Sequence, residues 1–229
     1  MFLEGYGEQI LNGTWLSVKL ALFSLAFALV LGLLGALAKL FGNGFFRACA
    51  QAYTTLIRSV PDLVLMLLIF FGIQQMLNSL TDALGFSQID LDPFVTGVIT
   101  IGFIYGAYFA ETFRGAFLAV PKGQLEAGKA YGMSNSQVFK RVLFPQMMRF
   151  ALPGIGNNWL VVLKATALVS IIGLSDLVQV VQSAGRATGK MFFFILVAGA
   201  IYLALTTVSN IVLWYLSRKY SAGVREAKL

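Results

Sequence analysis

The sequence predicts an all-α integral membrane protein with five transmembrane helices, and three observations predict it. Hydrophobic residues make up 58% of the 229, charged residues only 12%, and mean hydropathy is +0.80, more apolar surface than a water-soluble core can hide. The apolar residues gather into five runs, each of about the ~20 residues that cross a bilayer. The net charge of +7 sits in the connections between those runs, the pattern of membrane orientation rather than of a nucleic-acid stripe. Cys49 is the single cysteine and there is no histidine, which excludes an internal disulfide framework and removes the commonest metal ligand; no metal or other cofactor is expected on the chain.

Residues 1–12 carry Glu4 and Glu8 and no basic residue, unlike the n-region of a cleaved signal, so the N-terminus is expected to stay and to face outward. Span one is read over residues 14–38, with Lys19 able to snorkel from its first turns, and Lys39 and Arg47 follow it. Span two, residues 53–80, carries Arg58, Pro61 and Asp62 in its early turns. The next connection holds Asp82, Asp90 and Asp92, and Pro93 opens span three, residues 93–118, in which Gly102 and Gly106 form a small-xxx-small face for close packing. A central loop, residues 119–149, brings Lys122, Lys129, Lys140, Arg141 and Arg149. Span four covers 152–174 and span five 191–216, and the tail adds Arg218, Lys219, Arg225 and Lys228. Basic loops alternate with acidic or weakly basic ones throughout, which predicts a cytoplasmic C-terminus. The whole chain, 1–229, reads as one domain.

The central loop is a polar island, and its local signals imply two short helices. Pro121 suits a first helical turn, Gly132 can take the left-handed conformation that ends a helix, Ser134 and Gln137 form a capping box, and Pro145 is expected to stop the second helix. Val138, Phe139, Val142 and Leu143 fall at helical spacing while Lys140 and Arg141 point elsewhere, so the segment is amphipathic. Either it docks on a partner, or it lies on anionic lipid through Lys140 and Arg141.

The spacing Glu126-Ala127, Gly132 six residues after the glutamate, then Val142-x-Phe144-Pro145 resembles the "EAA" coupling loop of permease subunits of bacterial ATP-driven importers. Arg58-Ser59-Val60-Pro61, Tyr108-x-Ala110-Glu111-x-x-Arg114-Gly115, Val120-Pro121-Lys122-Gly123-Gln124, Pro153-x-x-Gly156-Asn157 and Lys164-x-Thr166-x-Leu168-Val169-Ser170 extend the resemblance to the polar amino-acid branch of ATP-binding-cassette importers. The Q-type subunits of histidine and arginine/ornithine systems are the nearest pattern. Gly128 stands where that motif prefers alanine, Val142 where it prefers isoleucine, Phe144 where it prefers leucine, and Ala165 where many relatives carry an acid.

The resemblance implies a type I importer transmembrane domain in the bacterial inner membrane. It implies a second permease subunit (a copy or a paralogue), a pair of ATPase subunits holding ATP and magnesium, and a periplasmic amino-acid-binding protein. Glu126, Ala127, Gly132, Ser134, Val142 and Pro145 would then contact the ATPase. No phosphate-binding loop of its own is present: Gly185 to Met191 has the wrong glycine spacing and no Ser/Thr for magnesium, and reads as a loop. No paired carboxylates or nucleophile–base set suggest an enzyme, and five spans do not divide into the inverted repeats of a self-contained ion-coupled carrier.

Charges within spans are costly and therefore candidates for the substrate path. At 1.5 Å per residue, Asp62 falls ~13 Å into span two and Lys164 ~18 Å into span four, while Glu111 falls ~27 Å into span three, near its cytoplasmic end. Asp62, Lys164, Glu111 and Arg58 are the candidates. The structural alternatives are an Asp62–Lys164 or Asp62–Arg58 salt bridge and an i,i+3 pair between Glu111 and Arg114. An acid held beside Pro61, where the helix ladder is disturbed, would favour a cationic ligand of the histidine, arginine, lysine and ornithine class; other polar amino acids are the alternative.

Overall fold

The computed structural model describes residues 3–88 and 90–220; the expected tail cations Arg225 and Lys228 lie outside the described residues. Within them the elements are helical, and five helical stretches are long and apolar enough to cross a membrane: Gly7–Phe41, Asp62–Leu84, Pro93–Ala119, Asn135–Ile172 and Met191–Tyr220.

The centre of the fold is the pair α1 (Gly7–Phe41) and α4 (Pro93–Ala119). Lipid tails are as apolar as leucine, so this pair is held by close packing rather than by escape from water. The glycines make that possible. A methyl group added at Gly106 would lie 2.8 Å from the Tyr53 hydroxyl and 3.0 Å from Leu31 Cβ, and one added at Gly102 would collide with Phe27. Ala28, Ala36, Ala107 and Phe109 are fully buried along the same seam. The predicted face of Gly102 and Gly106 is thus the seam onto α1.

The run expected to form span two is two helices. Asn43 caps α2 (Gly44–Ser59) by accepting a hydrogen bond from the Phe46 N–H at 3.1 Å. The helix ends because Val60 precedes a proline, which pushes it to extended backbone (φ −111°, ψ 141°). α3 (Asp62–Leu84) then restarts with Asp62 as its first residue, so residues 53–59 belong to an amphipathic helix and α3 alone is the spanning candidate. α3 is lightly held: only Leu65, Met66 and Thr81 are buried, and Gly85 (φ 72°) ends it.

After α4, which begins with the Asp92 side chain accepting from the Val95 N–H at 2.8 Å, come α5 (Lys122–Ala130) and α6 (Asn135–Val138). Pro145 does not stop the helix. α6 passes through a π-helical turn, Phe139–Leu143, directly into α7 (Phe144–Ala165). The Phe144 N–H bonds the Phe139 carbonyl, and the widened turn accommodates the proline ring and its missing donor, which a regular turn would not. The apolar stretch expected over 152–174 is therefore the later part of one helical stretch from Asn135 to Ile172, ending in a 3₁₀ turn, Thr166–Ile172, closed by Gly173 (φ 95°).

Residues expected to form a loop around Gly185 are instead the last turn of α8 (Leu177–Thr188). Its N-cap Asp176 accepts from the Gln179 N–H at 2.9 Å, and Gly189 (φ 70°) follows its end. α8 is strongly amphipathic, with Leu177, Val181 and Ala184 buried, and the Leu177 N–H donates to Ser17 Oγ on α1 at 3.1 Å. α9 (Met191–Tyr220) packs on α8 and α7, with Phe194 and Ala198 buried. The ion pair Lys190–Glu4 joins its start to the N-terminal residues. One end of the bundle thus carries Glu4, α8 and the start of α9; the opposite end carries Lys39 and the α5–α6 loop.

Candidate functional site

Three of the four candidate pathway residues are gathered on α2, α3 and α4. Asp62 Oδ2 accepts a hydrogen bond from the Tyr105 hydroxyl at 2.6 Å. Tyr105 stands 12 residues into α4, ~18 Å along a helix of ~40 Å, so Asp62 opens α3 yet sits level with the middle of α4. Its other oxygen accepts no hydrogen bond from the described residues. The Tyr105 and Tyr108 rings stack at 5.5 Å, and the Arg58 guanidinium lies 5.5 Å over Tyr108, within cation–π range.

One turn further on, Glu111 anchors a charge network. It pairs with Lys39 of α1 through Oε1 and with Arg114 Nε through Oε2 at 2.9 Å. Lys39 Nζ also donates to Thr54 Oγ1 of α2 at 2.5 Å, and only 3% of its side chain is exposed. The expected i,i+3 pair of Glu111 with Arg114 is present, but Lys39, read from sequence as a loop cation, is the buried member. A polar hollow of about 420 Å³ opens between α2 and α4, lined by Gln51, Thr54, Thr55, Arg58, Ser59, Tyr108, Glu111 and Arg114.

The ion pairs among the described residues are Lys39–Glu111, Arg114–Glu111 and Lys190–Glu4. Neither of the expected structural bridges, Asp62–Lys164 or Asp62–Arg58, forms. Asp62 is taken by Tyr105 and Arg58 by Tyr108, while Lys164 lies exposed in the last turn of α7 and makes no ion pair among the described residues. Tyr105, Thr54 and Lys39 were not legible as site residues, because the sequence gives no sign that positions 39, 54 and 111 meet. Tyr108 could have been found: it opens the motif that holds Glu111 and Arg114.

The central loop is a compact knob. Gly132 has φ 79°, its N–H bonds the Lys129 carbonyl at 2.9 Å, and the Met133 N–H bonds the Gly128 carbonyl at 3.1 Å, closing α5. Ser134 and Gln137 form the capping box, with the Ser134 N–H donating to Gln137 Oε1 at 2.8 Å. Gly128 is buried against the next helix: a methyl group there would lie 3.3 Å from Val138 Cγ2 and 3.6 Å from Val142 Cγ2. That crossing accounts for glycine in place of the motif's alanine. Glu126 and Ala127 are exposed, Val142 and Pro145 half-buried, and Tyr131 at the tip is 87% exposed. An exposed knob of this kind suits docking on a partner.

Comparison with known proteins agrees with this architecture. A family described as binding-protein-dependent transport system inner membrane component matches residues 18–222. The chain is 57% identical over 227 residues, 99% of its own length and 100% of the relative's, to the histidine/lysine/arginine/ornithine transport system permease protein HisQ of Escherichia coli (strain K12). It is 40% identical to the octopine transport system permease protein OccQ of Rhizobium radiobacter, covering 90% of this chain and 88% of that one. The solved structure of an amino acid ABC transporter with histidines superposes with a TM-score of 0.79 at 29% identity, over 93% of this chain and 95% of that one. The similarity runs the length of the chain, and the relatives are transport components rather than enzymes: the chain belongs to the binding-protein-dependent transport system inner membrane component family, as the permease type of subunit found in amino-acid ABC importers.

Proposed function

We propose that the chain is the translocation subunit of an ATP-driven importer of basic amino acids, of the histidine, lysine, arginine and ornithine class. The observation that carries this is Asp62: a partly exposed carboxylate level with the middle of α4, at a helix break, with one oxygen fixed by Tyr105 and the other without a protein donor. Its chain is closely similar to a permease named for those four amino acids. A carboxylate so placed attracts a cationic side chain or ammonium group, and irregular backbone at membrane depth is tolerated where it lines protein or a watery cavity. Arg58, on the rim of the adjoining hollow, suits the substrate's own carboxylate.

In this reading the knob end faces the cytoplasm and the end carrying Glu4 and α8 faces outward, in keeping with the basic residues around the knob. Glu126, Ala127, Gly132, Ser134, Val142 and Pro145 form or support the surface on which a pair of ATPase subunits docks, with ATP and magnesium bound there. A second permease subunit covers the lightly held α3, and an external binding protein delivers the substrate.

Uptake of arginine and histidine by the assembled transporter carrying Asp62→Asn tests the assignment. The variant is expected to assemble and to keep stimulated ATP hydrolysis, while transport of cationic substrates weakens by the ~1.5–3 kcal/mol of a hydrogen bond to a charged group. Unchanged uptake would assign Asp62 a structural role only.

A further inference from the structure

A polar cavity of about 570 Å³ opens between α1 and α8, at the end of the bundle away from the knob. The two helices touch closely beside it: a methyl group added at Gly13 would lie 3.1 Å from the Asp176 carbonyl and 3.1 Å from Val180 Cγ2. Gln9, Asn12 and Lys19 line the cavity from α1, Gln179 and Ser183 from α8. Each of these side chains can donate a hydrogen bond, and no carboxylate is among the lining residues. Asp176, beside the cavity, is fully buried and accepts from the Gln179 N–H. Glu8 stands on the same face of α1 as Lys19, but three turns earlier, ~16 Å along the axis. Lys19 itself makes no ion pair among the described residues. Its ammonium group lies 5.7 Å from the ring of Trp15, which also lines the cavity and is 59% exposed.

The depth of Lys19 follows from its surroundings. From Leu20 to Ala38 α1 carries no charged residue, a length of ~28 Å against a hydrocarbon layer of ~30 Å, so Lys19 stands at the edge of the hydrocarbon. Trp15, one turn earlier, has the place of an interfacial aromatic. The cavity is therefore level with lipid headgroups. Leu22, Phe23, Ala26 and Val30 are all exposed, and at about 100° per residue each lies within about 60° of Lys19 around the helix. An apolar strip thus leads from the ammonium group into the hydrocarbon. We propose that this cavity holds the headgroup of one anionic phospholipid of the leaflet away from the knob, its phosphate on Lys19 and its acyl chains along that strip. A site with one cation, several neutral donors and no lining acid selects net negative charge. Its depth selects a lipid, because a phosphate held there has its chains beside the strip, whereas a soluble anion gains nothing from exposed leucine and phenylalanine.

Native mass spectrometry of the detergent-purified assembled transporter, with equimolar palmitoyl-oleoyl phosphatidylglycerol and phosphatidylethanolamine added, tests this. Lys19→Gln should remove one retained lipid per copy of this chain, and Lys19→Arg should keep it. The lipid lost is expected to be phosphatidylglycerol about fivefold more often than phosphatidylethanolamine, the preference that one basic residue gives near the membrane surface. Ser183→Phe, which fills the cavity from α8, should remove the same lipid with Lys19 intact. Equal retention by the unaltered and Lys19→Gln complexes overturns the proposal. So does release of the bound lipid by inorganic phosphate, which would make the cavity a site for a soluble anion. A weakened affinity of Lys19→Gln for the external binding protein, with lipid retention unchanged, overturns it as well and gives the cavity to an acidic side chain of that partner.

Discussion

Glu111→Gln is the substitution on which the charged cluster makes its sharpest demand. The Lys39 side chain is 3% exposed and that of Glu111 20%, so removing the carboxylate leaves an ammonium group among α1, α2 and α4 without its counter-charge, facing only neutral acceptors such as Thr54 Oγ1. Breaking a buried pair from one side costs ~3–5 kcal/mol. Because Glu111 retains some solvent and the new amide oxygen can still accept from Lys39, the lower end, ~3 kcal/mol, is expected. Arg114→Gln removes the other partner of the same glutamate, but 39% of the Arg114 side chain is exposed, so its cost should stay within ~1 kcal/mol. Replacing the pair together, Lys39→Met with Glu111→Leu, removes both buried charges and should recover most of the loss. The assay is thermal denaturation of the purified assembled transporter, comparing midpoints of the four proteins. Glu111→Gln melting alongside Arg114→Gln, or the double replacement melting below Glu111→Gln, would refute the reasoning that Lys39 is held by a charge it cannot do without.

The remaining expectations concern orientation, the knob and α8. A reporter active only outside the cytoplasm should be active when inserted between Ser79 and Asp92 and silent after Lys219; the reverse pattern overturns the proposed orientation. Gly132→Val places a β-branched residue at φ 79°, costs ~1–2 kcal/mol, and should leave membrane insertion intact while abolishing binding-protein-stimulated ATP hydrolysis; normal stimulation would mean the knob does not transmit. Asp176 is fully buried, and that burial pushes its carboxyl up from 3.8 to about 6, against the opposing hydrogen bonds from the α8 backbone. The folded state therefore holds its proton more tightly than the unfolded chain, so this contribution to stability is complete below pH ~4 and is lost as pH rises through ~6, ~3 kcal/mol in all. Asp176→Asn keeps an N-cap acceptor and should flatten that part of the melting-versus-pH curve; a slope identical to that of the unaltered protein would count against it.

The spans and the knob were legible because each has a signal local in sequence: uninterrupted apolar runs, a capping box, a glycine where a left-handed residue must stand. The misreadings have local causes too. One long span through Pro61 conflicts with the restriction on Val60, which is a boundary signal. α8 is signalled as well, because Asp176 before it, Gly189 after it and Leu177, Val181 and Ala184 within it are start, stop and periodicity signals that outweigh a loop around Gly185. Pro145 is a stop signal for a regular helix, and a π turn changes the geometry that makes it disruptive. The charged cluster was only half legible. Glu111 and Arg114 share a motif, but Lys39 and Thr54 reach them by the packing of α1 and α2 on α4, which depends on glycine contacts no window of sequence displays.

The same π turn has a mechanical consequence. By carrying the backbone past Pro145 without a break, it joins the capped start of α6 to the first turns of α7 as one rod, residues 135–152, ~27 Å long, up to Pro153, the proline inside α7. A hinge at Pro145 would absorb any tilt of the knob locally; a rod cannot. Tilting this one by 5° about its capped end moves the far end, beside Leu152, by ~2 Å, so a displacement imposed at the knob would reach Pro153 as leverage rather than as strain.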